Sequence, residues 1–346
     1  MRIAVIHNQP VDAAEYRAAE WGVVEQAASV VSALVAAGHT PIPFAATDAS
    51  ALCEFLSRNR PELIFNCCES LAGRARFEMN VAAIFELYGI SFTGSSALSL
   101  GLALDKGLSK AVFAAQGVPT PLYMRFESDA DATVPGFSFP LIVKPVAEDA
   151  SIGIDDGAVV HDAAALEARL RFVWRTFDQA ALVEEFIAGR EFNVSLLATS
   201  PWEFRVLPIA EIEFDELPRG RPRIVGYEAK WSEGSAAYRG TTVQCPALLD
   251  ADTAARIGQA ALAAARAVGM RDYGRIDLRV RESDQAVFVL EANPNPDIGP
   301  QAGFLRAAAA AGIGMQEVIL EIVNRTIERC ARSSGAQRFA GQGDLP

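Results

Sequence analysis

Asp277, Glu291 and Asn293 are the residues whose type and spacing point most directly to chemistry. Asp277 lies in the alternating run Arg275-Ile276-Asp277-Leu278-Arg279-Val280, and Glu291 and Asn293 stand two apart near the end of Val287-Phe288-Val289-Leu290-Glu291-Ala292-Asn293. Side chains two apart on a strand share a face, so pairing these runs would gather all three on one side of a sheet. Oxygen donors without His or Cys suit magnesium, which keeps several waters and takes further ligands from phosphate. Charges at alternating positions describe a solvated sheet face equally well. Weighing toward a task is the place of Glu291, behind four apolar residues and just ahead of the turn Asn293-Pro294-Asn295-Pro296.

The cations are the second signal. Of 31 basic residues only four are lysine: Lys106, Lys110, Lys144 and Lys230. An ammonium is a compact point charge for phosphate, whereas a guanidinium is a bulky planar fork. A coding bias against lysine would produce the same scarcity. Lys144 closes the strand-like Phe139-Pro140-Leu141-Ile142-Val143, and small residues follow it in Ala147-Glu148-Asp149-Ala150-Ser151-Ile152-Gly153-Ile154. Such a loop can point backbone N–H groups at phosphate oxygens, although Glu148 and Asp149 would have to turn away, and a plain surface loop reads the same. The run Leu182-Val183-Glu184-Glu185-Phe186-Ile187-Ala188-Gly189-Arg190-Glu191 could hold a purine by its main chain and ribose hydroxyls by Glu191. It reads equally as an apolar hairpin with polar ends.

The elements that must position these residues follow from periodicity. Residues 2–7 read as a buried strand, 23–37 as a helix stopped by Gly38, 41–45 as a strand, 49–59 as a helix and 62–67 as a third strand. A helix over 78–88 and a short strand at 90–92 continue an alternation that predicts a parallel α/β sheet. No G-x-G-x-x-G follows the first strand, where His7-Asn8-Gln9-Pro10 stands, so a dinucleotide fold loses its support. Further on come helices over 105–116, 163–177, 251–268 and 315–330, and strands over 139–145, 181–187, 192–199, 205–214 and 286–291. The expected division is 1–104, 105–189 and 190–332, with 333–346 a frayed tail.

Composition excludes several classes. With 346 residues, 51% apolar and 21% charged, the chain is globular and long enough for more than one domain. A net charge of −12 with no basic cluster argues against nucleic acid. The five cysteines have no metal-ligand spacing, and an odd number suits a reducing compartment. Met1 leads straight into a strand and no apolar stretch is long enough to span a bilayer, so the expectation is a soluble, cytoplasmic protein without a membrane partner. His7, His39 and His161 are scattered and suggest no catalytic set.

Taken in order along the chain, these segments resemble the ATP-grasp ligases, most closely D-alanine–D-alanine ligase and its relatives. The resemblance rests on Tyr88-Gly89-Ile90-Ser91-Phe92-Thr93-Gly94-Ser95, Leu104-Asp105-Lys106 with Lys110, Ile142-Val143-Lys144-Pro145, Val183-Glu184-Glu185-Phe186 with Gly189-Arg190-Glu191-Phe192, Tyr227-Glu228-Ala229-Lys230, Gly274-Arg275-Ile276-Asp277 and Leu290-Glu291-Ala292-Asn293-Pro294. It implies an N-terminal parallel α/β domain followed by two α+β subdomains clasping ATP. It also implies that Lys106, Lys144 and the loop Ser151-Ile152-Gly153 meet the phosphates, that Glu184 and the backbone of Glu185, Phe186 and Ile187 hold adenine, and that Glu191 holds ribose. Asp277, Glu291 and Asn293 would bind two magnesium ions, with manganese able to substitute. Lys230, Arg275 and Ser151 would act on the transferring phosphate and the acyl species. Such ligases pass the γ-phosphoryl group to a carboxylate, and an amine then displaces phosphate to form an amide. Relatives pair through the first domain, so a homodimer is implied by the same resemblance.

The amino-acid half of the pattern departs from the family. Glu148-Asp149-Ala150-Ser151-Ile152-Gly153 replaces its Glu-Gly-Ser-Ser-small-Gly loop, and Trp231 stands for the tyrosine after the lysine. Asn66-Cys67-Cys68-Glu69-Ser70-Leu71-Ala72-Gly73-Arg74 replaces the His-Gly-x-x-Gly-Glu turn, and the segment after Asn293 has no Ser-Leu pair. Substrate candidates are therefore Glu25, Glu69, Arg74, Ser151, Trp231, Asp297 and Gln301, with Arg74 suited to a carboxylate and Glu25 or Glu69 to an ammonium. The expectation is an ATP- and magnesium-dependent carboxylate–amine ligase for amino-acid-like substrates. A true D-alanine–D-alanine ligase and a silent nucleotide-binding regulator are the alternatives.

Overall fold

The computed structural model describes residues 1–11, 17–127, 136–201 and 203–340. Strands β1 (Arg2–Asn8), β2 (Thr40–Ala46) and β3 (Leu63–Asn66) form a parallel sheet in the order β2-β1-β3, connected by helices α1 (Arg17–Ala36) and α2 (Ala49–Asn59). Ile3 to Ile6 are fully buried, as a parallel strand covered on both faces requires. Asp48 caps α2 by accepting the Ala51 N–H at 2.9 Å. The strand expected at 90–92 is reduced to one parallel bridge between Phe92 and Ile64.

Helices α3 (Glu78–Leu87), α4 (Ala97–Leu104) and α5 (Lys106–Ala115) lead out of this layer. Helix α4 was not expected. Asp105 both ends it and caps α5, its Oδ1 accepting the Leu108 N–H at 3.0 Å. That cap fixes where α5 begins, and hence where Lys106 and Lys110 project.

The second sheet, β4 (Tyr123–Phe126), β5 (Leu141–Pro145), β6 (Val159–Val160) and β7 (Ala181–Glu185), is antiparallel in the order β4-β7-β5-β6. Helix α6 (Ala163–Phe177) packs Leu166, Leu170 and Val173 against Leu141, Val143 and Val183. The third sheet centres on β8 (Gly189–Ser200), which pairs with β9 (Glu203–Val206) and β10 (Ala210–Glu213). The single strand expected over 205–214 is therefore two, broken at Leu207-Pro208-Ile209, where proline offers no N–H to a ladder. Two short helices, α7 (Tyr227–Trp231) and α8 (Ala236–Arg239), precede β11 (Thr242–Gln244). Helix α9 (Ala251–Ala267) then covers β12 (Tyr273–Arg281) and β13 (Val287–Asn293), giving the order β11-β10-β8-β12-β13. Gly189 opens β8 at φ +155°, and a Cβ there would lie 2.0 Å from the Val280 carbonyl oxygen. Only glycine allows the chain to cross from the second sheet to the third so closely.

Helices α10 (Gly303–Ala310) and α11 (Met315–Ala340) are the last elements. Val318, Ile319, Ile322 and Val323 share one core with Val23, Ala27, Val30 and Leu34 of α1. The last helix thus completes the core of the first sheet. The helix expected over 315–330 runs further, α11 continuing to Ala340, and of the tail expected from 333, residues 341–346 lie outside the described residues. Among the described residues no single helix is long and apolar enough to cross a membrane.

Candidate functional site

The ladder between β12 and β13 sets Arg275 opposite Asn293 and Asp277 opposite Glu291, and it slips just after Asp277. Arg275 grips Asp277 with two bonds, Nε to Oδ1 at 2.7 Å and Nη2 to Oδ2 at 2.8 Å. Asn193 of β8 donates to the same Oδ1 at 2.7 Å. Asn293 Nδ2 lies 3.4 Å from Asp277 Oδ2 and 3.5 Å from Glu291 Oε1. From α5, Lys106 Nζ comes within 3.7 Å of Glu291 Oε2. Desolvation raises the Asp277 carboxyl, Arg275 opposes it and Glu291 adds to it. Burial also works against the charge on Glu291, but Lys106, Lys144 and Arg275 outweigh it and hold that carboxyl well below the usual range. Arg275 answers in kind, its desolvation outweighed by Asp277 and Glu291 so that it stays charged.

The donor set fits a hard divalent cation. Two carboxylates and an amide converge from adjacent strands, and no group of three or more His, Cys, Asp or Glu able to hold a metal occurs among the described residues. A site of that kind leaves coordination positions for water and phosphate, as magnesium prefers.

Around it stand the lysines. Lys106 Nζ donates to the Glu148 carbonyl at 2.6 Å and lies 3.6 Å from Asp149 Oδ1, joining α5 to the loop after β5. Desolvation would lower its pKa, but Glu291 and Asp149 outweigh it and raise it. Glu184 is buried, with Oε1 2.8 Å from Lys110 Nζ and Oε2 2.9 Å from Lys144 Nζ. Both its oxygens are thus engaged by ammonium groups. In the segment that follows, the Glu185 and Phe186 N–H groups bond Leu122 and Pro140 carbonyls. The Ile187 carbonyl accepts Arg279 Nη1 at 2.8 Å, while its N–H has no hydrogen-bond partner among the described residues. Arg279 also places Nε and Nη2 on one oxygen of Glu191, at 2.9 and 2.7 Å. The other Glu191 oxygen is left out of that pair.

The loop after β5 is held by α7. Trp231 Nε1 donates to the Ala150 carbonyl at 3.0 Å and the Tyr227 N–H to the Ile154 carbonyl at 2.9 Å. Arg221 bridges Asp156 and Glu228. Within the loop Ala150 and Ser151 take φ of +56° and +63°, and the Ile152 N–H turns inward to the Asp149 carbonyl at 3.0 Å. Gly153 has φ +76°, and a Cβ there would meet Pro145 Cγ at 2.6 Å and the Phe177 ring at 2.8 Å. The one central glycine is therefore required. Lys230 lies over the Trp231 ring at 5.2 Å. Although it is open to solvent along one side, crowding by protein atoms, with Arg275 nearby, lowers its pKa.

Of the substrate candidates, Glu69 is near enough to Lys230 to favour its charge, and Asp297 near enough to Arg275 to favour its charge. Trp231 is the loop latch. Glu25 is exposed on α1, Arg74 is exposed beside the Phe77 ring, and Gln301 is exposed just ahead of α10. Among the described residues no hydrogen bond, ion pair or ring contact joins these three side chains to the constellation.

Several participants escaped the sequence reading. Arg279 continues the Arg275–Asp277 face of β12, and its two-residue spacing was a usable signal. Lys110 stands out in the sequence, though without its partner Glu184, whereas Asn193 had no local pattern that set it apart. Neither did Glu78 and Asn295, which meet across the sheets: Asn295 Nδ2 donates to Glu78 Oε1 at 2.9 Å and to the Cys68 carbonyl at 2.8 Å, and its Oδ1 accepts from Tyr273. Cys67 and Cys68 are free thiols that burial pushes up, which leaves them poor nucleophiles.

Residues 112–324, more than half of the chain, match the family described as D-ala D-ala ligase C-terminus. A D-alanine–D-alanine ligase of Methylibium petroleiphilum is 35% identical over 266 residues, covering 74% of this chain and 77% of that one. An uncharacterized protein of Sinorhizobium fredii is 33% identical over 340 residues, 94% of this chain and 96% of its own. Among solved structures, the ATP complex of D-alanine–D-alanine ligase from Bacillus anthracis superposes with a TM-score of 0.76 at 22% identity, covering 96% of this chain and 99% of that chain. The VanG D-Ala:D-Ser ligase of Enterococcus faecalis gives 0.70 at 20%, covering 94% and 99%. The fold is the ATP-grasp fold. The chain belongs to the D-alanine–D-alanine ligase family and is an ATP-dependent, amide-forming ligase.

Proposed function

We propose that the protein is a magnesium-dependent, ADP-forming carboxylate–amine ligase acting on amino-acid-like substrates other than a pair of D-alanines. The observation that carries this reading is the cross-strand set Arg275, Asp277, Glu291 and Asn293 with Lys106 on Glu291. Asp277, Glu291 and Asn293 would hold magnesium, which neutralises phosphate charge. Lys106 and Lys144 steady the phosphates, and the loop after β5, latched by Trp231, keeps water out. The free N–H of Ile187 suits an acceptor nitrogen of adenine, and the outer oxygen of Glu191 suits a ribose hydroxyl. A substrate carboxylate attacks the γ-phosphorus and ADP departs. An amine then attacks the acyl carbon, a proton is lost and phosphate leaves. Arg275 and Lys230 face the negative charge that develops in both steps, and positioning with charge neutralisation carries the catalysis.

A second reading, D-alanine–D-alanine ligation, is favoured by the 35% identity to a ligase of that name. Against it stand Ala150 and Trp231, where a serine and a tyrosine orient substrate in the resembled enzymes. Phosphate release with Mg-ATP and a panel of L- and D-amino acids separates the two. Release with D-alanine alone would establish the second reading, and no release with any member would overturn both.

A further inference from the structure

Lys110 is fully buried, and a buried ammonium is tolerated only when paired. Its carboxylate partner, Glu184, is shared with Lys144, so the trio holds two ammoniums against one carboxylate. Lys110 Nζ also donates to Thr120 Oγ1 at 2.8 Å, and Thr120 donates to the Val289 carbonyl at 2.8 Å, two residues before Glu291. One helical turn earlier on α5, Lys106 reaches Glu291 and the loop after β5. A single face of α5 therefore reaches β7, β13 and the loop after β5.

If Lys144 and Glu184 stood alone they would form a closed, neutral pair. With Lys110 on Oε1, the carboxylate is divided and the trio keeps one net positive charge. We propose that Lys110 is a positioning residue for the nucleotide, acting through Glu184 to leave the ammonium of Lys144 available to phosphate. This rests on the nucleotide reading given above. Glu184, expected to hold adenine, has both carboxylate oxygens taken by ammonium groups, so its charge acts on the phosphates through Lys144 and not on the base.

The test is calorimetric titration of Mg-ATP, with adenosine by competition, into the wild type, Lys110→Met and Lys110→Gln. The glutamine keeps a donor for Glu184 without the charge, and it carries the test if the methionine variant does not fold. We expect ATP to bind about tenfold more weakly in the variants, with adenosine within twofold of wild type. Equal losses for both ligands, or no loss for ATP, would overturn the assignment. A wild type that binds no ATP would overturn the nucleotide reading itself, and this inference with it.

Discussion

Asp277 and Glu291 face each other across the β12–β13 ladder, and their carboxyls are driven in opposite directions. Desolvation dominates at Asp277, whereas the cations Lys106, Lys144 and Arg275 overcome it at Glu291. The pair therefore presents one carboxylate firmly charged beside another that would gain from a further cation. A divalent ion held by Asp277, Glu291 and Asn293 would relieve that asymmetry by adding positive charge.

Glu291→Ala should lower kcat by about 10²–10³-fold through lost charge stabilisation, with the far-ultraviolet circular dichroism unchanged. Unaltered turnover would remove Glu291 from the machinery.

Replacing Trp231 by phenylalanine deletes the indole donor to the Ala150 carbonyl while keeping an aromatic ring under Lys230. One such hydrogen bond is worth about 1 kcal/mol, so loop closure should weaken about fivefold. The expected readout is a rise of that size in KM for ATP, together with faster proteolytic nicking of residues 146–157.

Glu78 gives stability a pH dependence. Its carboxyl is raised well above the usual range, by desolvation first and then by Asp149. The folded state keeps the proton that the unfolded chain releases, so Glu78 contributes a loss of stability as pH climbs from the unfolded carboxyl value towards the raised folded one. Glu78→Gln can still accept the bond from Asn295, and its Tm should fall less than the wild type's between pH 5 and pH 8. Parallel thermal melts in the two proteins would refute this.

Asp272 ties three layers together. It is buried, bound by Arg329 Nε at 3.0 Å and Nη2 at 2.9 Å, by Thr326 Oγ1 at 3.0 Å and by the Gly94 N–H at 2.8 Å. Asp272→Ala strands a guanidinium that is itself largely buried, and should destabilise the fold by about 3–5 kcal/mol in chemical denaturation. A change below about 1 kcal/mol would mean that this link does not hold α11 to the first sheet.

The sequence by itself determined what short-range periodicity and spacing encode. Two-residue alternation placed Arg275, Asp277, Glu291 and Asn293 on two strands, and the Asp105–Lys106–Lys110 spacing and the lone Gly153 were legible because each is set within one element or turn. Only the tertiary structure decided which elements meet. That Lys110 and Lys144 share Glu184, that Asn295 reaches Glu78, and that Trp231 bonds a backbone carbonyl in the loop after β5 depend on contacts 40 to 217 positions apart in the chain, with no local signature. The burial that moves the carboxyls and ammoniums is likewise a property of packing, because desolvation comes from atoms that the remaining chain brings to the site.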